Sequence, residues 1–244
     1  MIVNENVKLA DIASTTISGK LLKLFVYNDK PTAFYGVDIN KKSGDYEIKV
    51  ILKNGTSFSK NLVIKERKKI EEVFSIPKKL GGDTVAGQKS LVTSLAKENA
   101  VLNKIPTSQK IFWKEKFIFP LENPIVTDDF GYSRKTGGYT LIHKGTDFRA
   151  KTGTKISAMN DGVVSVANVA RNYGKHIVID HGLGVMTFYL HLSKINVKVG
   201  DSITKGQVIG LSGETGYAAA PHLHLSVRIY NVSIDPVKFM EFFK

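Results

Sequence analysis

The stretch Pro221-His222-Leu223-His224-Leu225-Ser226-Val227 carries the strongest pattern in the C-terminal half of the chain. Polar and apolar side chains alternate along it, which is typical of a β-strand with one buried face. Because residues two apart in a strand point to the same face, His222 and His224 are expected to enter one pocket while Leu223 packs behind them. Such an arrangement can bring one metal ligand and one catalytic group close together.

The sequence around this stretch is dominated by short β-rich runs separated by glycines. From Ile111 onward no long helical pattern interrupts them, which favours an antiparallel β domain over residues 111–244. The fold class predicted for the whole chain is therefore mainly β. The runs that support it are 162–164, 176–180, 186–190, 207–211 and 223–229.

The first 110 residues divide into two parts of different character. Alternation along Tyr46–Leu52 and a hairpin signal at Asn54-Gly55 predict a small accessory β-sandwich-like domain over residues 1–66. Residues 67–110 are predicted to form a helical connector, with helix-like patterns at 68–74 and 89–103. This connector either packs on a neighbouring core or lies over the active site.

Charge and composition limit the classes of partner. The 244 residues carry a formal net charge of +13, which favours a polyanion: nucleic acid, anionic lipid or an acidic wall polymer. The lysines are spread along the chain and no nucleic-acid motif is recognisable, so nucleic acid is not expected as a partner. Cysteine is absent, so a bound metal would need His, Asp or Glu ligands.

Targeting signals are also absent from the sequence. No apolar run reaches the roughly 18 residues of a membrane span, so no transmembrane segment is expected. The N-terminal residues 1–6 have neither the basic nor the apolar region of a signal peptide. We expect an envelope protein, periplasmic or extracellular, whose signal has been removed or whose export follows another route.

All six histidines lie between residues 143 and 224, which indicates a shared site. His143 and Asp147 add an imidazole and a carboxylate, and Gly145 between them lets the backbone pass close to a metal. Two nitrogens and one oxygen leave the fourth tetrahedral position of Zn²⁺ open, as catalytic zinc sites require. His176 and His181 are expected to be structural, since His181 precedes a turn glycine at the end of a predicted strand.

At these residues the chain resembles the lysostaphin-like (LytM-type) zinc metallopeptidases, which hydrolyse peptide bonds in peptidoglycan. The resemblance covers about residues 120–238, and its motifs occur in the order of the family. They are 130–132, 143–148, 153–154, 158–164, 189–193, 199–201, 205–210, 213–216, 221–224 and 235–236. One departure is the segment 133–138, which replaces the usual arginine-rich and proline-containing stretch and affects the expected substrate preference.

The resemblance implies that His143, Asp147 and His224 bind Zn²⁺ in a groove of a β-sheet. It also implies that His191 and His222 lie beside the open coordination position, where they would handle the proton and stabilise the oxyanion. The sequence does not decide which of the two is the general base. The expected function is hydrolysis of peptidoglycan peptide stems or cross-bridges by a metal-activated water.

Two alternatives belong to other functional classes. A non-enzymatic regulator of wall hydrolases with the same fold would typically lack metal ligands, whereas all five expected residues are present here. A lipoyl-like carrier is suggested by the hairpin signal at 199–207, but the setting of a modified lysine is missing. Three tyrosines in predicted rim loops are candidate substrate contacts: Tyr132, Tyr139 and Tyr217.

Overall fold

The computed structural model describes residues 7–67, 71–73, 84–136 and 138–242. Contacts divide the chain into two compact units, Met1–Lys68 and Lys69–Lys244. Most of the regular structure is strand, so the predicted mainly-β fold class is confirmed. None of the helices in the described ranges is long and apolar enough to span a membrane.

The first unit is a small β module with a short 3-10 helix at Leu9–Asp11. The antiparallel hairpin of its two longest strands turns at the predicted Asn54-Gly55. There Gly55 adopts a φ of 88°, which favours glycine. Its strands are β1 (Ile12–Ile17), β2 (Lys20–Leu21), β3 (Leu24–Tyr27), β4 (Lys30–Ala33), β5 (Gly44–Leu52) and β6 (Ser57–Ile64), with sheet orders β2-β1-β5-β6 and β3-β4.

The second unit contains two helices and fourteen strands within its described residues. They are β7 (Glu71–Val73), α1 (Val85–Leu102), β8 (Val126–Asp128), β9 (Ser133–Thr136), β10 (Tyr139–Ile142), β11 (Thr146–Arg149), β12 (Lys155–Ser157), β13 (Gly162–Ala170), β14 (Gly174–Gly182), β15 (Val185–Leu192), β16 (Lys194–Ile195), β17 (Ser202–Ile203), β18 (Val208–Leu211), β19 (His222–Ile229), β20 (Val232–Ile234) and α2 (Pro236–Glu241).

The main sheet of this unit has eight strands in the order β17-β13-β14-β15-β19-β11-β8, with β20 paired to β19. Smaller sheets have the orders β12-β18-β16 and β10-β9-β7. Every pairing between described residues of this unit is antiparallel except that of β7 with β9. The long central strands β14, β15 and β19 are almost entirely buried.

The pairing of β7 corrects one prediction. Residues 68–74 have a helix-like pattern, yet Glu71–Val73 form a strand parallel to β9. Pairing with a distant strand therefore overrides local helix propensity. The remainder of that predicted helix, at 68–70 and 74, lies outside the described residues. The second predicted helix, 89–103, corresponds to α1.

The two faces of the main sheet are covered differently. Directly opposed residues on neighbouring strands share a face of the sheet. Every second residue of β15 therefore lies on the same face as its partner on β19. One face, here called the front face, carries Met186, Phe188, Leu190, His224, Ser226 and Arg228. Helix α1 packs on it, because Leu102 belongs to a buried cluster with Val178, Met186, Phe188 and Leu190.

The opposite face, called the back face, packs against the sheet of β12, β18 and β16. Tyr189 belongs to this face, and its hydroxyl accepts a hydrogen bond from Met159 N at 3.0 Å. A Cβ on Gly210 of β18 would lie 3.6 Å from the side chain of Ile177, the cross-strand partner of Tyr189. The back face is therefore buried in the core of the unit.

Candidate metal centre

Three ligand-bearing side chains meet at one end of the front face. Asp147 of β11 lies directly opposite His224 of β19 in the antiparallel ladder, so both side chains project on the same face. His143 comes from the segment just before β11 and is buried. Asp147 Oδ1 lies 2.8 Å from His224 Nδ1 and 3.1 Å from His143 Nε2, and the two nitrogens are 3.0 Å apart.

Hydrogen bonds behind the two imidazoles determine which nitrogen of each ring faces the others. His143 Nδ1 donates to the carbonyl of Asp129 at 2.8 Å, which leaves Nε2 as an acceptor. His224 Nε2 lies 3.1 Å from Ser226 Oγ, which itself donates to the carbonyl of Lys144 at 2.7 Å. The serine hydrogen is thus used, so His224 Nε2 is the donor and Nδ1 is the acceptor.

The donor set fits a divalent cation. Two imidazole lone pairs and a carboxylate oxygen point at one another, an arrangement that is repulsive unless a cation lies between them. Nitrogen and oxygen ligands about 2.0–2.2 Å from a tetrahedral zinc ion lie roughly 3.3–3.6 Å apart. The spacings of 2.8–3.1 Å found here are a few tenths of an ångström shorter. Three protein ligands also leave one tetrahedral position for water or substrate. We conclude that His143, Asp147 and His224 can hold a metal ion.

Gly145 makes this close approach possible. A Cβ at this position would fall on the imidazole of His224 and 2.5 Å from the carbonyl oxygen of Leu225. Any side chain would therefore displace the ring or the β19 backbone. The glycine between His143 and Asp147 is needed because the backbone passes close to the ring of His224.

The charge state of Asp147 suits a ligand. Burial by itself would raise its pKa, but His224, followed by His143, interacts with the carboxylate and holds its pKa well below the usual range. The pKa of His224 is lowered to about 4, chiefly by burial. Near neutral pH the carboxylate is therefore ionised and the ring of His224 is neutral, as metal binding requires.

His191 reaches the front face through a β-bulge. In β14 and β15, Lys175 pairs with Leu192 and Ile177 with Tyr189, so Leu190 and His191 together oppose the single residue between. Without the extra residue, His191 would follow the alternation of Tyr189 to the back face. The bulge, with a φ of 62° at His191, turns its ring to within 4.9 Å of the His222 ring, between centroids.

His191 and His222 are oriented by backbone carbonyls that hold Nδ1, as His143 is. His191 Nδ1 donates to the carbonyl of Thr215 at 2.9 Å, and His222 Nδ1 donates to that of Ala220 at 2.8 Å. Nε2 is therefore the nitrogen of each ring that faces the site, and His222 Nε2 lies 3.7 Å from Asp147 Oδ1. Burial, followed by His224 and His222, lowers the pKa of His191 to about 3.

The other two histidines lie away from this cluster. His181 is fully buried, with Nδ1 bonded to the carbonyl of Asp161 at 2.7 Å and Nε2 bonded to Thr187 Oγ1 at 2.8 Å. His176 Nδ1 donates to the carbonyl of Gly174 at 3.0 Å. Both nitrogens of His181 are used by internal partners, which is the arrangement expected of a structural histidine.

Two of the three tyrosines predicted in rim loops lie in loops, and the third lies in a strand. Tyr132 and Tyr217 lie in loops and Tyr139 lies in β10, and all three are partly buried. The segment 133–138, where the sequence departs from the resembled family, contributes β9 of the β9–β10 hairpin.

Sequence reasoning missed Ser226, although its position two residues beyond His224 in an alternating strand is a detectable signal.

Comparison with known proteins identifies the domain that carries this centre. Residues 141–236 match the model of Peptidase family M23. An uncharacterized metalloprotease of Buchnera aphidicola is 31% identical over 201 residues, which are 81% of this chain and 50% of that protein. Peptidoglycan DD-endopeptidase ShyA of Vibrio cholerae is 44% identical over 96 residues, which are 39% of this chain and 22% of that protein.

A solved structure extends the likeness of fold over nearly the whole chain. The crystal structure of a putative peptidase M23 from Pseudomonas aeruginosa superposes with a TM-score of 0.68 and 23% identity, covering 99% of this chain and 97% of that one. The chain spans half or less of the length of the two curated relatives. The resemblance to lysostaphin-like metallopeptidases is confirmed. Residues 141–236 therefore form a peptidase family M23 domain.

Proposed function

We propose that this chain is a zinc endopeptidase that hydrolyses peptide cross-links of bacterial peptidoglycan. The observation that carries the proposal is the set of three acceptors that face one another at His143, Asp147 and His224. Two further histidines, His191 and His222, adjoin them with Nε2 available. The name of the related Vibrio cholerae enzyme supports peptidoglycan as the substrate class.

The metal would be held by His143 Nε2, Asp147 Oδ1 and His224 Nδ1. The chemistry that a bound zinc ion supplies is Lewis acidity, which lowers the pKa of a coordinated water to about 7 and polarises the scissile carbonyl. The hydrogen bonds from His143 to Asp129 and from His224 to Ser226 keep each ring in the tautomer that presents a lone pair.

We assign proton transfer and oxyanion stabilisation jointly to His191 and His222. Carbonyl acceptors hold the Nδ1–H of each ring, so the neutral ring accepts a proton at Nε2 and the protonated ring donates from the same atom. One ring takes the proton of the attacking water and returns it to the leaving amine. The other ring, when it carries a proton taken from solvent, donates that N–H to the developing oxyanion.

The substrate side of the proposal rests on charge and on the relatives. The net charge of +13 favours retention of the protein near acidic wall polymers in the cell envelope, and this binding should weaken with salt. Residues 1–66 are proposed to form an accessory domain, and residues 67–110, which contain β7 and α1, a connector that precedes the catalytic domain at 111–244.

The decisive experiment is a digest of purified peptidoglycans with different cross-bridges, analysed by mass spectrometry. We expect the zinc-loaded protein to cleave at least one class of cross-link and a chelator to abolish cleavage. Repeating the digest without residues 1–66 tests whether that segment limits access to the site. A protein that binds zinc stoichiometrically and releases no peptide from any wall preparation would contradict the proposal and favour a regulatory role.

A further inference from the structure

Helix α1 lies outside the residues that match the family model, but it packs on the front face that carries the metal centre. Its contacts form two separate groups. Near its C-terminal end, Asn99 and Asn103 accept hydrogen bonds from the buried guanidinium of Arg228, at 3.2 and 2.8 Å. The second group involves Glu98 and the turn of residues 171–174, here called the 171–174 turn, which joins β13 to β14.

The carboxylate of Glu98 is bonded entirely to this turn. It accepts from the backbone N of Asn172 at 3.1 Å, from the Asn172 side-chain amide at 3.0 Å and from the backbone N of Tyr173 at 3.3 Å. Ser94, one helical turn earlier, accepts from the same Asn172 amide at 2.8 Å. No ion pair of Glu98 occurs among the described residues, so its charge is used to hold backbone amides.

The 171–174 turn is also hydrogen-bonded to His191. The carbonyl of Tyr173 accepts from the backbone N of His191 at 3.0 Å, and the carbonyl of Asn172 accepts from Tyr217 N at 2.7 Å. Lys175 N, just past the turn, donates to Thr215 Oγ1 at 2.9 Å, and the carbonyl of Thr215 holds the His191 ring. Both the backbone and the ring of His191 are thus anchored on groups that the turn contacts.

His191 needs such support because of its conformation. It is a non-glycine residue with a φ of 62°, which costs free energy and persists only where the surroundings enforce it. Its place in the bulge leaves it outside the regular ladder of β14 and β15. The hydrogen bond to Tyr173 O replaces the lost ladder bond, so the position of the turn determines where the ring lies.

We propose that Glu98 is a positioning residue for His191, acting through the 171–174 turn. The inference rests on the proposed catalytic role of His191, but the geometric part stands without it. Helix α1 would then help to position an active-site residue, although it lies outside the residues that match the family model. Loss of the Glu98 carboxylate should loosen His191 while the helix remains docked through Asn99, Leu102 and Asn103.

The test compares Glu98→Ala with Asn103→Ala, which removes an anchor of the same helix that does not contact the turn. In metal-free protein, hydrogen exchange of the His191 amide should lose at least about 10-fold protection in Glu98→Ala and stay unchanged in Asn103→Ala. With zinc, Glu98→Ala should lower kcat about 10- to 100-fold on the muropeptide that the wild type cleaves, with KM and zinc content unchanged.

The conservative variant Glu98→Gln keeps one acceptor oxygen and should recover part of kcat and of the protection. Equal effects of Glu98→Ala and Asn103→Ala on the His191 amide would show a merely structural helix and overturn the inference. Unchanged exchange in Glu98→Ala would overturn it as well. If the wild type cleaves nothing, the proposed function fails, whereas the exchange comparison still decides whether Glu98 positions His191.

Discussion

His181 on the back face and His224 on the front face are chemically alike in one respect and opposite in another. Burial lowers the pKa of each to about 4, so both rings are neutral near pH 7. His181 uses both nitrogens internally, on Asp161 and Thr187, whereas His224 directs Nδ1 at Asp147 and His143. A perturbed pKa therefore does not distinguish a ligand from a core residue, and the direction of the lone pair does.

The largest effect expected from this comparison is that of His224→Ala. Removing one of three ligands should lose the metal and several kcal/mol of transition-state stabilisation, so activity should fall by at least about 10⁴-fold. His181→Gln is the matched control and should keep zinc and activity within about two-fold. Zinc content by elemental analysis and peptidoglycan digestion measure both. Zinc retained in His224→Ala at wild-type stoichiometry would remove this residue from the proposed ligand set.

His191→Ala and His222→Ala should separate catalysis from metal binding. Each variant is expected to lower kcat about 10²- to 10⁴-fold because a proton-transfer or oxyanion group is lost. Zinc should stay bound, since neither ring is one of the three proposed ligands. The same digestion and metal analysis apply. Full activity in either variant would refute the role of that histidine.

A smaller effect is expected at Ser226, which orients the His224 ring from behind. Ser226→Ala leaves His224 Nε2–H without its acceptor and should weaken zinc affinity about 10- to 100-fold, measured by competition with a chelator. Ser212→Ala is the matched control, because Ser212 is also buried and donates to a carbonyl, that of Lys151. Equal affinities of the two variants would mean that the serine does not tune the metal.

The predictability of this site follows the regularity of its strands. β19 is an unbroken strand from His222 to Ile229, so the two-residue period was sufficient to predict that His222 and His224 share a face. His191 is different, because its direction depends on a bulge that no alternation pattern reveals. Only the resemblance to a family suggested it, and strict alternation from Tyr189 would have assigned it to the back face.

The fold shows the same limit. Alternating runs and the Asn54-Gly55 turn predict strands and a hairpin correctly because local side-chain periodicity and turn chemistry determine them. The strand Glu71–Val73 is stabilised by a parallel pairing with residues about sixty positions later, which local sequence does not encode. The anchoring of His191 by Glu98 is equally nonlocal, so neither could be derived from the sequence near it.

The last prediction concerns stability and has the smallest expected effect on activity. It tests the back-face histidine His181 through the pH dependence of the unfolding free energy. His181 has a pKa of about 4 when folded and about 6.5 when unfolded. Between pH 4 and 6.5 the unfolded chain binds a proton at this histidine that the folded chain does not bind. The contribution of neutral His181 to the free energy of unfolding is therefore complete above about pH 6.5 and is lost as the pH falls to 4. His181→Gln should therefore reduce the loss of unfolding free energy between pH 7.5 and 4 by about 3 kcal/mol. Urea unfolding of metal-free wild type and variant measures it, because all other groups titrate in both proteins and cancel in the difference. Identical pH dependences would show that His181 takes up its proton at the same pH in the folded and unfolded chains. That result would contradict the hydrogen bonds that enclose the ring.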